Sequence, residues 1–186
     1  RQWPVTGPPD ASPPRSPARV LLALSSSRDE LVAGVAFVAA CLRALPGAFE
    51  VGIRPHPEFP LRLLPDDLRA WLATSARDFT GTALRENLDW CDAVAYVSST
   101  VGMEGLMAGK AAIQFSIGDP VEPDPVAAEC PHHWRAADPR QFLDILGDIA
   151  AMDDPGRRAA VAGAIDYLQR YFVAPTDEAL RAFLPG

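Results

Sequence analysis

Short apolar runs alternate along this chain with longer segments of helical pattern. The clearest are RVLLAL at residues 19–24 and AVAYV at residues 93–97, each followed directly by serine. A strand without a polar face is covered on both sides, and strands that alternate with helices pair in parallel. The sequence therefore predicts an α/β fold, a doubly wound Rossmann-like parallel sheet with a helical C-terminal extension.

The same pattern predicts the bounds of the individual elements. Strands are predicted at residues 19–24, 49–54, 76–79, 93–97, 111–115 and 133–136. Helices are predicted at residues 28–45, 65–71, 83–90, 99–107, 139–152, 155–172 and 176–183. Residues 1–17 contain six prolines, which predicts a linker or extended arm, so the folded domain is expected to span residues 18–186.

Charge and cysteine usage exclude several classes of partner. The formal net charge is −7 and no run of Lys or Arg occurs, so no nucleic-acid partner is predicted. The longest apolar run, residues 31–42, is shorter than the roughly 20 residues that span a bilayer, so no membrane span is predicted. Three separated cysteines without a CxxC pair predict reduced thiols and a cytoplasmic location.

Signatures of metals and common cofactors are also missing from the sequence. Cys130, His132 and His133 lie close together, but no second pair of ligands accompanies them, so no metal site is predicted. Neither a GxGxxG motif after the first strand nor a GxxxxGK[ST] motif occurs. The sequence therefore argues against a NAD-dependent oxidoreductase and a P-loop NTPase, and no cofactor is expected.

Hydroxyl side chains follow the strand predicted at residues 93–97. Ser98, Ser99 and Thr100 stand at the start of the next helix, where free backbone N–H groups would suit a phosphate. Glu104 follows one turn later, in a position to accept hydrogen bonds from ribose hydroxyls. The structural alternative makes Ser99 or Thr100 a plain N-cap and Glu104 a capping or solvent-exposed residue.

A histidine between two prolines follows the strand predicted at residues 49–54. In the segment Arg54-Pro55-His56-Pro57 the prolines restrict the backbone and hold the ring at the end of the strand. An imidazole there is predicted to donate to a phosphate oxygen or to protonate a leaving phosphate. The alternative is a structural or exposed loop histidine.

The first strand ends at a third candidate position, the segment SSS at residues 25–27. Ser26 is predicted to offer a hydroxyl or an amide to a donor phosphate. The competing interpretation is that this segment only provides the N-cap of the following helix.

Two of these segments together resemble a known family. The segment RPHP at residues 54–57 and the segment LDWCDAVAYVSSTVGMEGLMAGKAAIQ at residues 88–114 resemble the C-terminal domain of GT-B glycosyltransferases. More narrowly, they are similar to bacterial enzymes that use CMP-activated acidic sugars, such as sialyltransferases and Kdo transferases. Those enzymes carry an HP motif and a Ser-Ser/Thr motif that bind the nucleotide phosphate. His56-Pro57 and Ser98-Ser99 match these motifs here.

The resemblance implies a function. It implies a glycosyltransferase donor domain that binds a nucleotide sugar, with CMP-linked sugars favoured, and in which Glu104 holds the ribose. It also implies that the general base lies on an N-terminal acceptor-binding domain, in cis or in trans, so no catalytic residue is assigned in this chain. The alternatives are a GT-B-like sugar-nucleotide epimerase, a CDP-polyol phosphotransferase domain, and a non-catalytic nucleotide-binding or scaffold module.

Overall fold

The computed structural model describes residues 9–118 and 123–170. The helix predicted at residues 176–183 lies outside this range, as does the end of the helix predicted at residues 155–172. Six strands are present: β1 Ala18–Ala23, β2 Phe49–Arg54, β3 Ala76–Asp78, β4 Ala93–Tyr96, β5 Ala111–Phe115 and β6 His133–Ala136. The α-helices are α1 Arg28–Ala44, α2 Asp66–Ser75, α3 Leu84–Trp90, α4 Val101–Met107, α5 Pro139–Ala151 and α6 Asp154–Gln169, and a 3₁₀ turn covers Leu61–Leu63.

All six strands pair in parallel, in the order β3-β2-β1-β4-β5-β6. The chain first builds the sheet outward from β1 to β3 and then crosses back to place β4 on the other side of β1. This is the doubly wound order in which the direction of winding reverses between β1 and β4. The predicted Rossmann-like fold class, with helices at its C-terminal end, is confirmed.

Two separate hydrophobic clusters lie on the two faces of the sheet. The first contains the apolar faces of α1, α2 and α5, and the second contains those of α3, α4 and α6. The middle strands therefore have no polar face, because helices cover both of their sides. Leu21 and Leu22 illustrate this arrangement, since they are neighbours on β1, belong to opposite clusters and are both completely buried.

Local sequence signals explain where the elements begin and end. Ser27 caps α1, because its hydroxyl accepts a hydrogen bond from the backbone N–H of Glu30. The end of β2 coincides with the prediction, since Pro55 follows it and cannot donate to a ladder. α3 and α4 have only seven residues each and begin one and two residues later than predicted, while both end at the predicted residue.

Within the described residues, no helix is both long and apolar enough to cross a membrane. In the same part of the chain, no three histidine, cysteine or acidic side chains converge to hold a metal ion. The three cysteines, Cys41, Cys91 and Cys130, are buried free thiols.

Packing around Gly52 leads to a first prediction. A Cβ at Gly52 would lie 2.8 Å from the Trp90 ring and closer still to the Phe79 ring, and both rings are part of one aromatic contact. We expect Gly52→Ala to lower the free energy of unfolding by about 1–3 kcal/mol, because the buried Phe79 ring would have to shift from its contact with Trp90. The matched control is Gly147→Ala in α5, where a Cβ meets nothing within 4 Å.

Gly147→Ala should raise stability by about 0.5–1 kcal/mol, since alanine is the better helix former. Urea unfolding of both variants against the parent measures the difference. A Gly52→Ala protein as stable as the parent would contradict the packing argument.

Candidate functional site

The candidate site lies at the carboxyl edge of the sheet, where β1, β2 and β4 end together. Three residues stand at the same level in the register of these strands: Ala23, Arg54 and Tyr96. Two positions further along the three chains come Ser25, His56 and Ser98. Because neighbouring strands lie about 4.8 Å apart, the register places these three polar residues at one level across the edge, with Ser25 in the middle, and we call this set the row. The row crosses the junction of β1 and β4, which is where doubly wound sheets bind ligands.

A carboxylate from α1 joins the middle of this row. The Ser98 hydroxyl donates to Glu30 Oε1 over 2.8 Å and also lies 3.1 Å from the Ser25 hydroxyl. The Ser25 hydroxyl in turn donates to Glu30 Oε2. Glu30 thus holds the ends of β1 and β4 together through both of its oxygens, and all three side chains are half-buried.

No sequence motif points to Glu30. It stands in the first turn of α1, where an acidic residue is ordinary because of the helix dipole. Its contact with Ser98 joins residues 68 positions apart and depends on β4 lying beside β1. The only signal in the sequence was its place one turn after the SSS segment.

His56 is held in a defined orientation at one end of the row. Its Nδ1 accepts a hydrogen bond from the backbone N–H of Glu58 over 3.3 Å. A neutral imidazole whose Nδ1 accepts carries its proton on Nε2. The ring is about one-third exposed, so the Nε2–H group is the donor that it can offer to a bound oxygen. Pro57, the next residue, is exposed.

The start of α4 differs in detail from the expected capping. Thr100 occupies the N-cap position, but its side chain makes no capping hydrogen bond and it is exposed. The Ser99 hydroxyl instead accepts from the backbone N–H of Val101 over 3.3 Å, and Ser99 is buried. The predicted hydroxyl contact at this turn is therefore made by Ser99 and not by Thr100.

Arg54 and Glu104 are brought near each other beside the row. The Arg54 guanidinium donates to the backbone oxygen of Thr82 over 2.9 Å and to Oδ1 of Asn87 over 2.7 Å. Burial lowers the pKa of Arg54, and the charge of Glu104 opposes this shift. Arg54 thus fixes the segment before α3 while placing a positive charge close to Glu104. Ser26 is exposed and belongs neither to the row nor to the surroundings of Arg54.

A second polar cluster fixes the chain between β5 and β6. Tyr96 donates its hydroxyl to Asp124 Oδ1 over 2.9 Å, and the ring of His133 lies 3.2 Å from Oδ2 of the same carboxylate. Arg135 donates to that oxygen over 3.0 Å, and the Val126 N–H donates to Oδ1 over 2.9 Å. This Asp124 cluster joins the last residue of β4 to β6 and to the loop after β5.

The comparisons with known proteins concern the fold. The calicheamicin glycosyltransferase CalG4 superimposes with a TM-score of 0.53 at 18% identity, over 92% of this chain and 46% of that one. The wall teichoic acid polymerase TagF superimposes with a TM-score of 0.56 at 12% identity, over 86% of this chain and 43% of that one. The glycotransferase of kitacinnamycin superimposes with a TM-score of 0.50 at 15% identity, over 83% of this chain and 40% of that one. No protein-family model matches the sequence, and no curated protein matches it either.

These likenesses, all below 20% identity, are likenesses of fold. The chain spans less than half the length of each of these proteins. Its fold is the one found in one part of glycosyltransferases of the GT-B type, in agreement with the broader resemblance drawn from the sequence.

Proposed function

We propose that this chain is the domain of a GT-B glycosyltransferase that binds the nucleotide-sugar donor. The observation that carries the proposal is the row formed by Ser25, His56 and Ser98 across the junction of β1 and β4. In doubly wound sheets this junction is a crevice in which the loops after the strands surround a ligand. The fold shared with glycosyltransferases supports the same assignment.

Different side chains around the row suit different parts of a donor. His56 offers an Nε2–H group for a phosphate oxygen, and the charge of Arg54 lies on the same side of the site. The carboxylate of Glu30 repels a phosphate, and its contacts with two serine hydroxyls show that it suits hydroxyl donors. We therefore place the donor phosphate towards His56, Ser99 and Thr100, and the sugar or ribose hydroxyls towards Glu30 and Glu104. In this arrangement Ser98 bridges the two parts.

A CMP-linked sugar is the donor that we favour. The support is the resemblance of His56-Pro57 and Ser98-Ser99 to the motifs of enzymes that use CMP-activated sugars. Chemistry would take place against an acceptor-binding domain in cis or in trans, which would also supply the general base. A glycan or another surface acceptor is the proposed substrate of the complete enzyme. The three free thiols accord with action in the reducing cytoplasm.

Nucleotide preference tests this proposal. We expect the chain to bind CMP more tightly than UDP, and either of them more tightly than NAD or ATP, because the glycine-rich motifs for dinucleotides and P-loop binding are missing. Titration calorimetry with the four nucleotides gives the order directly. NAD binding tighter than that of both pyrimidine nucleotides would exclude the proposed site, and a preference for UDP would keep the donor domain but exclude CMP.

A further inference from the structure

A polar cavity of about 180 Å³ opens at the amino edge of the sheet, on the side opposite to the candidate donor site. It lies where β4 and β5 begin, and α6 forms one wall. Its charged and titratable lining consists of Asp10, Arg15, Asp92, Lys110, His132 and Arg157. None of these residues belongs to the row or to the Asp124 cluster.

The arm that precedes β1 closes one side of this cavity. The backbone N–H of Asp10 donates to Ala108 over 3.1 Å, and the Asp10 carboxylate pairs with Lys110 over 2.8 Å. Gly109 has a φ of +81°, and a Cβ there would lie 2.7 Å from the Asp10 backbone nitrogen. Only glycine permits this close approach, so the wall formed by the arm is part of the folded structure.

The lining of the cavity has more hydrogen-bond donors than its own acceptors can engage. Asp10 and Asp92 already accept at both of their oxygens, from Ser12 and Lys110 and from the 15–19 segment respectively. Among the described residues, Lys110 uses one of its three ammonium donors, on Asp10, and its side chain is only 7% exposed. Arg15 and Arg157 likewise make fewer hydrogen bonds than their five N–H groups allow. Each cation is paired with one carboxylate, Lys110 with Asp10, Arg15 with Asp92 and Arg157 with Asp154. Several of their N–H groups nevertheless make no hydrogen bond within the described residues, so the lining holds more donors than its own acceptors engage.

Two buried nitrogens in the lining point to the same conclusion. Within the described residues, Arg157 Nε and His132 Nδ1 have no hydrogen-bond partner, although Arg157 is 5% exposed and His132 is 7% exposed. A buried polar atom without a partner destabilises the folded state, so such an atom calls for a partner, which an ion, a ligand or an ordered water can supply. Both belong to residues that line the cavity.

We propose that this cavity is a binding site for a phosphate-type oxyanion, formed by Arg157, Lys110 and Arg15. Several donors on a tetrahedral anion match the unspent N–H groups of two guanidinium ions and one ammonium. The volume admits an inorganic phosphate or the terminal phosphate of a larger molecule. The formal net charge of −7 disfavours diffuse attraction of anions, so binding here depends on this local cluster.

The charge of the site comes from these cations and not from the histidine. Burial, together with the charge of Arg157, lowers the pKa of His132 to about 4, so its ring is neutral at pH 7. His132 also has a φ of 62°, a left-handed conformation that is uncommon in residues other than glycine. The ring thus lines the cavity as a neutral hydrogen-bonding group.

A single lysine makes the test direct. Lys110 is the only lysine in the sequence, so protein labelled with ¹⁵N-lysine gives one backbone amide signal, and that signal reports on the cavity. We expect inorganic phosphate to shift this signal saturably, and sodium chloride at the same ionic strength not to do so. The absence of a saturable shift, or an equal shift in chloride, overturns the proposal.

Variants separate the cavity from the donor site. Arg157→Gln and the milder Arg15→Gln should each weaken the phosphate response about 10-fold or more, while the exposed neighbour Arg158→Gln serves as the matched control and leaves it unchanged. Arg15→Gln keeps the test valid if Arg157→Gln fails to fold. His56→Ala should leave the response unchanged, and its loss in that variant would place the phosphate at the carboxyl edge and overturn the proposal. The experiment therefore stands whether or not the chain binds a nucleotide sugar.

Discussion

Replacement of Asp124 by alanine is expected to lower the free energy of unfolding by roughly 2–5 kcal/mol. The Asp124 side chain is only 5% exposed and accepts hydrogen bonds at both oxygens. Without it the buried hydroxyl of Tyr96 and the buried ring of His133 each lose a partner. Since these groups join β4, β6 and the loop after β5, the loss reaches several elements together.

The matched control is Asp166→Ala, which removes a carboxylate paired with Arg170 on α6. Both of those side chains are about 70% exposed, so this pair should contribute less than about 0.5 kcal/mol. Denaturant unfolding of the two variants beside the parent measures the contrast. Equal losses in the two variants would mean that the Asp124 cluster does not hold these elements together.

The same carboxylate also links stability to pH. Burial alone would raise the pKa of Asp124, but hydrogen bonds from His133, from the Val126 N–H and from Tyr96 lower it below its ordinary value of 3.8. A carboxylate whose pKa is lower in the folded state stabilises the protein above the pKa of the unfolded chain. This contribution is lost as the pH falls through the lower pKa of the folded state, so the difference between the parent and Asp124→Asn should narrow in acid.

His56→Ala is expected to weaken CMP binding about 10- to 100-fold while leaving the melting temperature unchanged. A hydrogen bond to a charged phosphate contributes roughly 1.5–3 kcal/mol, which corresponds to this range of affinity. The His56 side chain is 36% exposed, and its polar contacts are with its neighbour Glu58. The substitution should therefore change the affinity for CMP without changing the melting temperature.

His56→Gln provides the conservative comparison, because its amide N–H can replace part of the donor. Calorimetric titration with CMP and a thermal melt should place this variant between the parent and His56→Ala in affinity, with all three alike in melting temperature. A His56→Ala protein that binds CMP like the parent but melts several degrees lower would show that the histidine is structural.

The strands were predictable because their signals are local. Phe49–Arg54 is bounded by proline, and the buried run that ends β1 is followed directly by serines that include the Ser27 cap. α3 and α4 were also predicted to within two residues, whereas the strand order was not predictable in this way, since it depends on which distant segments become neighbours.

The same difference between local and distant signals applies to the candidate site. His56 and Ser98 could be singled out because each directly follows a strand. Their common level in the sheet, with Ser25 between them, follows from the strand order and the register. Glu30 could not be found from local sequence, since its partner Ser98 is distant in the chain. The cavity at Lys110 could not be found from local sequence either, because the arm, the sheet and α6 form it together.

The strand order also has a consequence for how the chain folds. Arg19 pairs with Glu50 beside the β1–β2 ladder across 31 positions, whereas its bond to Asp92 beside the β1–β4 ladder spans 73. Closing the longer loop costs about 0.8 kcal/mol more in chain entropy. Contacts between β1 and β2 are therefore expected to form before those between β1 and β4. The crevice at Ser25 and Ser98 lies at the junction of β1 and β4, between the part of the chain that forms β1 to β3 and the part that forms β4 to β6. It comes into existence only when they join, so the site can form no earlier than the pairing of β1 with β4.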